Sequence, residues 1–224
     1  MEKANKNDDG RRSVTPFVDS DNEIVIPETW GDIKAGAFMG NSMSGHLKIP
    51  PTIKRLDDFT FCLCRNLDRV TISGEMSYIG FRCFSGCHSL KAIEIPDSVD
   101  MICEYAFEDC WSLKSIRLPK SLKMISLGLF NRCYSLEEIE LPDMVELVKQ
   151  EIIGYCRMRR GLKLPQFGSP KESIINVMPS LMDIFKVFVL RECKSLKRIV
   201  VPEDSIERYK AITPERHHHL FVAK

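Results

Sequence analysis

The sequence predicts one α/β repeat domain, a right-handed solenoid of about eight short coils with parallel strands and a capping helix at its C-terminal end. Three observations predict it. Pro27, Pro50, Pro96, Pro119, Pro142 and Pro165 lie on a single 23-residue grid, with Ser73 standing in once and Pro202 returning after a 14-residue insertion. Cys64, Cys87, Cys110, Cys133 and Cys156 share that grid, with Asn41 in phase before them and Cys193 in phase after the insertion. Two apolar columns keep step: Ile24, Leu47, Val70, Ile93, Ile116, Ile139, Leu162 and Ile199, then Ile26, Ile49, Ile72, Ile95, Leu118, Leu141, Leu164 and Val201. A fixed period of this length is the signature of stacked repeats.

Each element follows from the pattern. The two apolar columns are separated by one residue, rich in β-branched side chains and closed by proline, which describes a short strand with alternate side chains facing inward. A third column, Phe38, Phe61, Phe84, Phe107 and Phe130, passes to Ile153 and then Leu190 and predicts an aromatic spine on the opposite, turn-like side. A single coil cannot bury its apolar face, so the coils must stack, to a height of roughly 35 Å for eight strands about 4.8 Å apart. Residues 1–22 are charged and poor in aromatics and are expected to form a disordered tail, ahead of a solenoid over 23–202. Within the irregular stretch 166–179, Ser169, Pro170 and Glu172 carry a capping-box signature and predict a short helix through Ile174, Ile175, Val177 and Met178. Residues 203–224 are expected to form a cap and tail, with Asp204 and Ser205 as N-cap side chains before a helix through Ile206, Tyr209 and Ile212 that Pro214 stops.

The segments CHSLKAIEIP (Cys87 to Pro96) and CWSLKSIRLP (Cys110 to Pro119), joined by DSVDMICEYAF (Asp97 to Phe107), resemble the BspA-type leucine-rich repeats of surface and cytoplasmic proteins, chiefly bacterial. The resemblance covers about residues 24–210 and is most specific in the three central coils. It implies a curved solenoid used for protein binding or adhesion, with no shared enzymatic activity.

Charge narrows the function. With 32 Lys plus Arg against 31 Asp plus Glu, the net charge of +1 gives no overall field to steer the molecule to nucleic acid or an anionic membrane. Nine cysteines, an odd number, fit free thiols better than a disulfide framework and point to a reducing, cytoplasmic setting. The first 23 residues hold no apolar run of a secretory leader; a leader removed earlier would instead place the chain at the cell surface or outside. No segment approaches the roughly 20 apolar residues of a membrane-spanning helix.

Candidate sites come from reading columns across coils. The residue after each ladder cysteine gives His88, Trp111 and Tyr134 in consecutive coils, flanked by Arg65 and Arg157, the residue types that dominate binding hot spots. Such a strip suits a protein partner and could also hold a sugar ring; its rings could equally stack on one another and shield the core. The outward strand columns read Glu94, Arg117, Glu140, Lys163 and Lys91, Lys114, Glu137, Arg160, largely alternating in sign, so this face either neutralises itself or serves as a docking surface. The cysteine ladder is read as packing, since a line of thiols does not converge tetrahedrally on a metal. His217, His218 and His219 are expected in a solvated tail. Nucleotide and zinc-protease motifs are missing, GNSMSG (Gly40 to Gly45) lacks the context of a nucleophile elbow, and the columns of His46 and His88 show neither a nucleophile nor an orienting group. A non-enzymatic protein-interaction module without cofactor or metal is therefore expected, its alternative being a secreted or surface adhesin for a host protein or glycan.

Overall fold

The computed structural model describes residues 23–123, 125–143, 192–211 and 215–224, and the backbone of three dipeptides before them. The repeats stack as expected. Strands β4 (Ile24–Val25), β5 (Gly45–Ile49), β7 (Leu67–Ile72) and β9 (Ala92–Glu94) pair in parallel with partners one period apart: Ile24 with Leu47, Leu47 with Val70, Val70 with Ile93. Strands β11 (Ser115–Arg117) and β12 (Glu138–Glu140) continue the series, with Ile116 opposite Ile139. A second, narrower sheet joins β6 (Arg55–Leu56), β8 (Tyr78–Ile79) and β10 (Met101–Ile102) along another side of the coils, where Leu56, Ile79 and Ile102 are buried.

The rung count needs correction. Strand β13 (Arg198–Val201) is hydrogen-bonded directly to β12, Ile199 opposite Ile139, so no rung carrying Leu162 and Leu164 lies between them. The described residues thus make six turns and seven rungs from the repeats, against eight coils expected. Leu162, Pro165 and Cys156 keep the period in sequence and lie outside the described residues; periodicity reports compatibility with a coil, and neighbour pairing decides which rungs are adjacent. The stretch 166–179 and its expected helix lie outside the described residues.

Inside the stack, Phe38, Phe61, Phe84, Phe107 and Phe130 are buried, with ring centroids 5.1, 5.4, 5.7 and 5.9 Å apart and planes within 12° of parallel. Trp30 stacks on Phe38 at 6.4 Å and continues the file by one ring. The turns that carry this spine hold two left-handed positions per coil, one at Gly36, Phe59, Arg82, Tyr105 and Gly128, the other at Gly40, Leu63, Gly86, Asp109 and Arg132. That conformation costs a non-glycine residue about 1–2 kcal/mol. It also aims alternate N–H groups along the stack, so that Phe61 N–H donates to the Cys83 carbonyl (2.9 Å) and Phe84 N–H to that of Ala106 (2.9 Å). Unpaired, those buried groups would cost more than the strain.

Both ends depart from the expectation of plain tails. Strand β3 (Phe17–Val18) pairs antiparallel with β4, and β1 (Asn5–Lys6) with β2 (Arg12–Ser13), which puts backbone pairing inside residues 1–22. At the other end a 3-10 turn, Glu203–Ser205, replaces the expected Asp204 and Ser205 side-chain caps and leads into helix α1 (Ile206–Ala211). Strand β14 (Phe221–Ala223) then pairs in parallel with β13 and extends the sheet. Tyr209 packs against Phe221 at 5.6 Å and donates its hydroxyl to the Pro142 carbonyl (3.0 Å). In place of a plain tail, Glu215–Leu220 forms a 3-10 turn in which His219 stays exposed and His218 Nε2 lies 2.9 Å from the Lys210 carbonyl. Leu220 and Phe221 supply the buried apolar surface that holds the segment down.

Candidate binding surface

The ladder cysteine aims the next residue outward. Cys64, Cys87, Cys110, Cys133 and Cys193 donate Sγ–H to the carbonyls of Phe38, Phe61, Phe84, Phe107 and Phe130 at 3.0–3.3 Å. With each thiol directed into the core, the following side chain stands at the corner of the coil. His88 and Trp111 stack at 3.7 Å with planes 5° apart, and Tyr134 follows Trp111 at 6.2 Å, tilted by 45°. Trp111 remains 42 % exposed and Tyr134 39 %. His88 covers one face of Trp111, while Tyr134 is tilted away from the other. Arg65 lies close enough to His88 to raise the cost of a second positive charge there; Arg157 lies outside the described residues.

A network that the column reading missed holds the strip in place. Trp111 Nε1–H donates to Asp109 Oδ1 (3.1 Å), and Asp109 accepts from Arg132 through Nε (2.7 Å) and Nη2 (2.5 Å). Arg132 and Arg82 both reach the buried Glu108 carboxylate at 3.2 Å, and the Arg82 guanidinium covers Tyr105 at 5.2 Å. The Arg132 hydrogen bonds hold Asp109 below the usual carboxylate range and push Arg132 up. Desolvation, then the nearby Arg65, lowers His88. The signal was legible in principle, because Asp109 and Arg132 are one period apart with opposite charge.

On the outward strand face the charges pair, mostly with partners other than those the alternation suggested. Arg117 bonds Asp97 (2.5 Å), Glu137 bonds Lys197 (2.8 Å), Glu140 bonds Lys224 and Glu138 bonds Arg198. Lys91 sits 3.9 Å from Asp68, and Lys114 has no ion pair among the described residues. Arg160 and Lys163 lie outside the described residues. Lys197, on the rung that actually follows, takes the place that the column reading gave to Arg160.

The columns also hid a three-residue contact. His46 Nδ1 lies 3.2 Å from Glu23 Oε1 and its Nε2 2.9 Å from Thr71 Oγ1, so an orienting acid and a hydroxyl do flank this imidazole, contrary to the column reading. Thr71 sits inside a strand paired on both sides, which engages the surrounding backbone N–H groups in the ladder. Burial pushes the thiols of Cys64, Cys87, Cys110 and Cys133 up, Cys64 to about 12, which disfavours the reactive thiolate. Among the described residues no three His, Cys, Asp or Glu side chains gather as metal ligands, and no helix is long and apolar enough to cross a membrane.

Comparison with known proteins agrees with this geometry. The model of the BspA type leucine rich repeat region matches residues 31–160 in six copies. No curated protein matches the chain. Among solved structures, a leucine rich cell surface protein from Faecalibacterium prausnitzii is similar at 23 % identity over 87 % of this chain and 51 % of its own, with a TM-score of 0.51. A leucine-rich repeat protein from Eubacterium ventriosum is similar at 14 % identity over 84 % of this chain and 41 % of its own, with a TM-score of 0.54. The T. pallidum leucine rich repeat protein is 26 % identical over 58 % of each chain, with a TM-score of 0.43. The chain spans about half the length of the structures it resembles. The matched repeats extend over more than half of the 224 residues, and the chain belongs to the BspA-type leucine-rich repeat family.

Proposed function

We propose that this chain is a non-enzymatic recognition module that docks a protein partner against its concave strand face and the His88–Trp111–Tyr134 strip. One observation carries the reading: Trp111 and Tyr134 are exposed, yet Trp111 is fixed by the hydrogen bond to Asp109 and the stack on His88. A large side chain that is already immobile loses little conformational freedom on binding, which favours it as an anchor. Arg65 and Lys114 add cationic contacts at its flank, while Arg117, Glu137 and Glu140 are already engaged within the chain and shape the face. Affinity purification with mass spectrometry supplies the partner. Trp111→Ala with Tyr134→Ala should then weaken that partner's binding at least tenfold while the melting temperature moves little; unchanged affinity in a folded double variant sinks the reading.

A second reading is a secreted or surface adhesin for a host protein or glycan, supported by the similarity to the cell surface protein from F. prausnitzii. Sugars stack on aromatic faces, and His88 already takes one face of Trp111, which reduces the ring surface this strip has for a glycan. Protease shaving of intact cells, with detection of peptides from this chain, decides the location. A glycan array decides the ligand class.

A further inference from the structure

The concave sheet is interrupted once in mid-stack. Strand β9 ends one sheet and β11 begins another, although they are consecutive rungs. The coils themselves have not separated there, since the Phe84 and Phe107 rings behind the break keep a 5.7 Å spacing and Ser112 N–H still reaches the His88 carbonyl (3.1 Å). The parting is local to the strands. Ile72, Ile93, Ile95, Pro96, Glu94 and Arg117 line the recess it leaves. The inward column registers the gap: Ile93 is 7 % and Ile116 4 % exposed, where Leu47, Val70 and Ile139 are fully covered.

Two charges border the recess, in different states. Arg117 is engaged, bonded to Asp97 and within 3.4 Å of the Ile95 carbonyl, so it bridges the parted strands. Glu94 is exposed and has no ion pair among the described residues, whereas Glu23, Glu137, Glu138 and Glu140 on the same face all have one. An apolar notch beside the one acid left free on this face specifies its occupant by size and sign. Coils held at spine spacing leave no room for an inserted strand, so only a side chain can enter.

We infer that this recess seats an aliphatic side chain of a protein partner whose neighbouring lysine or arginine pairs with Glu94. This rests on the recognition reading above and names the chemistry of the docked segment. The apolar floor excludes water from one side of the new ion pair, which strengthens it relative to a pair on open surface.

The test is to pan a phage-displayed random dodecapeptide library on the immobilised 224-residue chain and measure the selected peptides by fluorescence anisotropy. Expected are peptides sharing Leu, Ile, Val or Met within two residues of Lys or Arg, with affinity falling at least tenfold for Glu94→Lys, severalfold for Glu94→Gln and further at higher salt. Circular dichroism and the melting temperature of both exposed-site variants check that the fold is intact. Peptides without that doublet, doublet peptides indifferent to Glu94→Lys, or no enriched peptide at all each overturn the recess assignment. Peptides that ignore Glu94→Lys but weaken with Trp111→Ala and Tyr134→Ala overturn it while leaving the recognition reading standing.

Discussion

A thiol that donates to the carbonyl of a phenylalanine 26 residues upstream fills a small apolar site and satisfies a buried acceptor with one side chain. Cys110→Ala should keep most of the packing and leave the Phe84 carbonyl with the Cys87 N–H as its remaining donor (3.2 Å), at a cost of roughly 0.5–1.5 kcal/mol in chemical denaturation. An unchanged midpoint would deny the hydrogen bond any role. Burial of these thiols also predicts that Cys64, Cys87, Cys110 and Cys133 resist iodoacetamide at pH 8 in the native protein and react in denaturant, as read by peptide mass. Protonation of His88 is the second residue-scale test. Its lowered value means the unfolded chain binds the proton more readily, so stability falls as pH drops below the ordinary 6.5 and levels off once the folded imidazole is charged. Asp109 acts in the acid range: its contribution is present above 3.8 and is lost as pH falls through its lowered folded value. Trp111 fluorescence in a Trp30→Phe background should report a His88 midpoint below 6.5; a midpoint at or above it would contradict the packing around the ring. At this scale the column positions of His88, Trp111 and Tyr134 were legible from the period alone. Which way their faces turn was not, because ring orientation depends on the Asp109 and Arg132 side chains beside them.

Elements at the ends behave differently from those in the middle. A central coil is specified twice, by its own apolar columns and by identical neighbours above and below. The C-terminal rung, β14, has no counterpart in the repeat, and its short run Leu220, Phe221, Val222 follows three histidines that suggest solvent. Only the pairing of β14 with β13 and the contact of Tyr209 with Phe221 reveal it as part of the sheet. Phe221→Ser should therefore lower stability by about 2–4 kcal/mol, as expected for loss of a buried aromatic, and expose the Tyr209 ring. Measurement by thermal melt, with hydrogen exchange over residues 198–211, checks both; a shift under about 0.5 kcal/mol would show that the strand adds nothing to the cap. The same logic explains why the parting of β9 from β11 was invisible beforehand. Their sequences, AIE and SIR, carry the same inward isoleucine, and nothing in the period marks the contacts of Arg117 with Asp97 and the Ile95 carbonyl that accompany the break.

For the whole molecule, the spine and the ladder make stability a sum of nearest-neighbour interfaces, so what matters is which coils are adjacent. Ile139 and Ile199 are opposite one another although 60 residues separate them where one coil takes 23. Removing residues 144–180 would restore a 23-residue spacing between these rungs. The shortened protein should fold with the same spine, judged by circular dichroism and an unchanged environment for Trp111. Collapse of the fold on that deletion would mean that the removed segment is integral to the stack.

The direct pairing of β12 with β13 has a consequence for how the molecule can be altered. Two rungs that meet although 60 residues separate Ile139 from Ile199 are not tied to the 23-residue period, so the length of chain joining them can change without shifting the phase of the rungs on either side. Foreign sequence spliced in after Asp143, an epitope or a fluorescent reporter, should leave that pairing in register, while the same cargo within any 23-residue coil would throw every later rung out of step.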